Sequence, residues 1–134
     1  MSLNLTGMRH GLAEALSAAM ADVDGLTVHT SWEDRIADPA LLVLPAPSWV
    51  SAGTGDSFGH ASVSLDVIAV AGSGDREQSL DDLESLVSQV IGVALAQRWR
   101  VTGASEPGLV AVGGASVLAS TISVTQSAKA TIGA

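Results

Sequence analysis

Between residues 60 and 71 the chain alternates: Ala61, Val63, Leu65, Val67 and Ala69 fall on one side, Ser62, Ser64 and Asp66 on the other. Successive side chains of a strand point to opposite faces, so a period of two specifies a strand with one face buried. Sheets with one covered and one polar face are characteristically antiparallel, and the buried side needs a second layer. That layer is also written in the sequence. Met8, Leu12, Ala15, Leu16, Ala19 and Val23 recur at three- and four-residue steps, with Arg9, Glu14 and Ser17 between them. This is the stripe of an amphipathic helix, with Thr6 as its expected N-cap, a stop at residues 22–25, and Gly25 suited to a left-handed position. Leu80, Leu83, Leu86, Val87, Val90, Ile91, Ala94 and Leu95 form a second stripe. Ser79 followed by Asp82 predicts a cap at its start, so the second helix is expected over residues 79–98. Asp81, Asp82 and Glu84 then fall in a first turn that favours negative charge.

Further strands are expected over residues 26–31, 40–44, 99–104, 108–112 and 115–125. Pro45 and Pro47 should close the second of these, because proline cannot continue a central ladder. A long loop or an extended hairpin tip follows at about residues 46–59. Glu106, Pro107 and Gly108 mark a turn between two short strands, and the tail from about residue 126 should fray. Helix, strands, helix, strands gives an α+β class: two helices packed on one face of a mostly antiparallel or mixed sheet, in two layers. Residues 1–134 read as a single domain, with no repeat or dividing linker.

Composition limits the chemistry. The chain has 47% hydrophobic and 15% charged residues and no cysteine, which excludes thiolate catalysis, Cys-ligated zinc and disulfides. The formal charge of -8 comes from six basic and fourteen acidic residues. Arg9, Arg35, Arg76, Arg98, Arg100 and Lys129 are scattered, so no basic stripe is present for a phosphate backbone. Apolar runs are about strand length, too short to span a membrane, and the opening Met-Ser-Leu-Asn-Leu-Thr carries no secretion signal. A soluble intracellular protein is expected.

The motifs that suggest catalysis lack their context. Gly55-Asp56-Ser57-Phe58-Gly59 matches a nucleophile elbow, yet it precedes a strand where the elbow needs a helix, and no His follows His60. Gly72-Ser-Gly74 lies between strand and helix, where backbone amides could hold phosphate. Asp75 and Glu77 oppose that, and the third glycine is missing. His10, His29 and His60 have no partners at metal-ligand spacing, and Asp22, Asp24, Asp81, Asp82 and Glu84 do not follow a calcium-loop pattern. No catalytic, cofactor-binding or metal-ligating residue is assigned.

Aromatic side chains are rare: one Phe, no Tyr and three Trp. Trp99, just past the second helix, suits a core plug. Trp49 and Phe58 flank a stretch of small residues and are candidate anchors for a protein partner, with packing beneath the loop as the alternative. Trp32 and Arg35 complete the candidate interface set.

In sequence order the chain shows an Ala-rich opening helix, then Val28-His-Thr-Ser-Trp-Glu-Asp-Arg-Ile36, then Pro39-Ala-Leu-Leu-Val-Leu-Pro45. Val63-Ser-Leu-Asp-Val-Ile-Ala-Val70, the second helix, Trp99-Arg-Val101 and a Gly113-Gly114 entry to the last strand follow. Over nearly the whole chain this arrangement resembles the tail terminator proteins of long-tailed phages with noncontractile tails, those of actinobacteriophages in particular. The resemblance implies a structural virion protein of the tail and neck, assembled in the host cytoplasm and without catalytic residues. It implies a homo-oligomeric ring, typically a hexamer, that stops polymerisation of the major tail tube protein and meets a head completion or connector protein. An acidic lumen would let DNA pass without specific binding. Two alternatives stay open: another head-tail connector or stopper protein of the neck, or a small ligand-binding or serine-hydrolase domain built on residues 55–59.

Overall fold

The computed structural model describes residues 4–31, 39–52, 60–71, 76–112 and 115–129. Two helices and six strands follow in the order α1 (Leu5–Ala19), β1 (Thr27–His29), β2 (Ala40–Ala52), β3 (His60–Val70), α2 (Arg76–Ala96), β4 (Arg100–Ala104), β5 (Gly108–Val112) and β6 (Ala115–Lys129). The strands form one sheet in the order β1-β2-β3-β6-β4, with β5 also on β6. Only β1 and β2 pair in parallel. The expected α+β class is therefore observed.

Both helices lie on one face. Leu12, Leu16 and Met20 of α1 and its C-cap meet Leu83, Leu86, Val90 and Ala94 of α2 over Leu41, Val43, Val63, Leu65, Val67, Ala69, Ile122 and Val124. The alternation of residues 60–71 appears as expected, with Ala61, Val63, Leu65, Val67 and Ala69 all buried. Each fully buried Leu or Val there stabilises the fold by about 1.5–3 kcal/mol relative to leaving it in water.

Helix ends depart from the sequence reading. Asn4, rather than Thr6, caps α1: its Oδ1 accepts from the Gly7 N–H at 2.9 Å and its carbonyl accepts from the Met8 N–H at 3.0 Å. The helix stops at Ala19, leaving that residue exposed and Val23 in the following turn, where Gly25 does adopt a left-handed φ of 73°. Helix α2 begins before Ser79, which is buried within it and is not a cap. Its first-turn acid is Glu77, and Asp82 instead accepts from Gln78 one turn back. The buried stripe runs through Ser79, Leu83, Leu86, Val90 and Ala94, which turns Leu80 and Leu95 outward.

The end of α2 is a Schellman motif without glycine. The Trp99 N–H donates to the Ala94 carbonyl and the Arg98 N–H to the Leu95 carbonyl, while Arg98 takes a φ of 66°. Trp99 is thereby folded back beside Ala94 and is 4% exposed, the core plug its position suggests.

Two strands run further than expected. Strand β2 continues past Pro45 and Pro47 to Ala52, with its pairing to β3 shifting between Pro45 and Val50. Proline is barred from a central ladder only. Here β1 accompanies β2 only from Ala40 to Leu42, so among the described residues the rest of β2 is a sheet edge, where proline is tolerated. Of the expected loop, residues 46–52 are therefore strand, as the hairpin alternative had it, and residues 53–59 lie outside the described residues. Strand β6 likewise continues past residue 126, pairing Lys129 with His60, so the frayed tail is corrected as far as Lys129. The Gln126 side-chain amide also donates to the carbonyls of Gln97 and Arg98. Among the described residues no helix is long and apolar enough to cross a membrane.

Candidate subunit interface

On the face away from the helices, the sheet changes character along its length. Toward one end Ala40, Leu42, Leu44, Val70, Val117 and Ala119 cluster, with Ile68 against them. Toward the other end hydroxyls replace them: Ser62 lies 3.0 Å from Thr125, Ser64 donates to Thr125, and Ser123 donates to Asp66 at 3.0 Å. Thr125 in turn donates to the Val63 carbonyl. The cause is in the sequence of β3, whose outward positions read Ser62, Ser64, Asp66, Ile68, Val70.

The apolar half holds a groove of about 340 Å³. Leu42, Ile68, Val70 and Ala119 line it together with Leu109 and Val110 of β5, and Ser105, Glu106 and Thr121 supply polar atoms. Its outer wall depends on how β4 passes into β5. Both strands pair with β6, along Thr125 to Ile122 and Ala119 to Ala115 respectively, so they follow one another along a single margin. The expected turn at residues 106–108 is thus an interruption in one interrupted edge strand. Ser105 pins it: its N–H donates to the Thr121 carbonyl, its Oγ accepts from the Thr121 N–H, and its carbonyl accepts from Ser120 Oγ at 2.7 Å. Sequence reasoning passed over Ser105, since a serine beside Glu-Pro-Gly reads as turn filler.

Among the described residues, large apolar side chains exposed to solvent are few: Trp49, Val50, Leu80, Leu95, Leu109 and Val110. Trp49, 37% exposed, and Val50 lie on the free stretch of β2. Leu109 and Val110, 63% and 47% exposed, lie on β5 at the opposite margin. Neither strand segment carries a charged residue, although lysine or another charge is the usual guard of an exposed edge. Apolar side chains on unguarded edges are suited to contact with another protein.

Of the candidate anchors, then, Trp49 stands exposed at a sheet margin, whereas Trp32, Arg35 and Phe58 lie outside the described residues. So do the elbow motif at residues 55–59 and residues 72–75, which hold Gly72-Ser-Gly74 and Asp75. His10 and His60 are exposed, and His29 Nε2 lies 3.1 Å from Thr27 Oγ1. Among the described residues no group of three or more His, Asp or Glu is placed to hold a metal ion. Asp22, Asp24, Asp81, Asp82 and Glu84 are all exposed. No protein-family model matches the chain, and a search of curated proteins finds no match to it.

Proposed function

We propose that this protein is a tail terminator of the long noncontractile-tailed phage type: copies form a ring at the top of the tail tube, stop its polymerisation, and offer a surface to the head completion proteins. The observation that carries this reading is the pair of uncharged apolar patches on opposite sheet margins, at Trp49 and Val50 and at Leu109 and Val110. A closed ring of identical subunits needs two different patches per subunit, because its contacts are heterologous. The resemblance of the sequence to such terminators supports the same reading. The net charge of -8 suits a wall past which DNA slides without binding. In this reading the protein works by geometry and carries no catalytic group.

Purified protein added to polymerising tail tube protein should arrest growth, so that tube length falls as its concentration rises and the protein is found at one tube end by electron microscopy. Tubes of unchanged length, with no protein at their ends, would reject the proposal.

A further inference from the structure

We infer, building on the ring reading above, that Trp49 of one copy seats in the apolar groove beside Val110 of the next, joining subunits head to tail through two unlike patches. Trp49 is the exposed aromatic side chain among the described residues, and the groove is a largely apolar recess that Leu109 and Val110 leave open to solvent on β5. Large aromatics seated in apolar pockets are the residues that dominate protein contacts.

A copy cannot fill its own groove. Val110 is registered with Val117 of β6, whereas Val50 is registered with Val63, and Val63 with Gln126 of β6. At about 3.3 Å per residue, the steps from Val117 to Gln126 separate the two patches by roughly 30 Å along the strands, before the width of the sheet is added. Patches at opposite corners of one sheet meet only between molecules, and meeting in this way propagates a ring or a filament.

Charge selects a second copy as the occupant. Every copy carries -8, so two copies repel unless their contact avoids charged residues. The two longest stretches without Asp, Glu, Lys or Arg are residues 39–55 and 107–128. One carries Trp49 and the other carries Leu109, Val110 and Ala119. Among the described residues, a basic partner would find no carboxylate on β2 around Trp49 and only Glu106 at the groove.

The test uses Trp49→Ala and Val110→Asp in the full chain, alone and mixed, by sedimentation and light scattering. Wild type should associate with rising concentration, and each single variant should associate at least tenfold more weakly. An equimolar mixture should give a one-to-one dimer and nothing larger, because Val110→Asp retains its Trp49 and Trp49→Ala retains its groove, leaving one intact junction. Dimer formation also proves that both variants fold. Should Val110→Asp fail to fold, Val110→Ser takes its place, with the same dimer required. A wild type that stays monomeric at every concentration, a folded groove variant that associates like wild type, or a mixture without dimer would each overturn the inference. The tube assay separates this from the functional reading: if both variants arrest tubes as wild type does, the junction is wrong and the terminator reading stands. If the mixture dimerises while wild type never arrests a tube, the reverse holds.

Discussion

The two faces of the sheet are built from the same strands to different rules. Under the helices the inward positions from Leu41 to Val124 are apolar and almost fully hidden, except Ser120, whose buried hydroxyl donates to the Ser105 carbonyl. On the other face apolar character lasts for half the length of β3 and then gives way to Ser64, Ser62 and their partners on β6. A helix-covered face admits a polar group only with a partner, because one left without costs about 1–3 kcal/mol. The other face is free to divide, and its division separates a surface suited to contact from one suited to water.

The sharpest break of that comparison is Leu65→Ala, which opens a cavity beneath both helices. It should lower stability by about 3 kcal/mol, read as a shift in the denaturant midpoint. Ile68→Ala, on the opposite face of the same strand and only partly buried, should lose about half as much. Equal losses would mean that the two faces are packed alike. In the hydroxyl half, Thr125→Val keeps the β-branched shape and removes the donor to Val63 and the acceptor for Ser64, so about 1 kcal/mol is expected in the same measurement. The smallest effect belongs to the helix side, at the left-handed Arg98: Arg98→Gly should alter stability by less than about 1 kcal/mol, whereas a β-branched Arg98→Ile should lower it further, by thermal melting.

Much of the helix-covered half was legible because its signals are local. The alternation of residues 60–71 predicts β3 and its buried face residue by residue, and the stripe around Leu83, Leu86, Val90 and Ala94 predicts α2. Ends were less legible. Asn4 outcompetes Thr6 as a cap through one side-chain bond, and Arg98 occupies a position that glycine usually marks. The prolines of β2 mislead for another reason: whether a strand is central or at an edge depends on β1, which covers only three of its residues. The candidate interface divides the same way. Trp49 stands out by rarity, but the groove is assembled from β2, β3, β5 and β6, so no window of sequence contains it.

Strand β6 comes after every other strand in the chain yet lies between β3 on one side and β4 with β5 on the other. A ribosome that has made everything as far as Val112 has therefore released two sets of strands with no ladder between them. Synthesis of Ala115–Lys129 is what welds them, so the sheet closes only once that last ribbon is free to slot in.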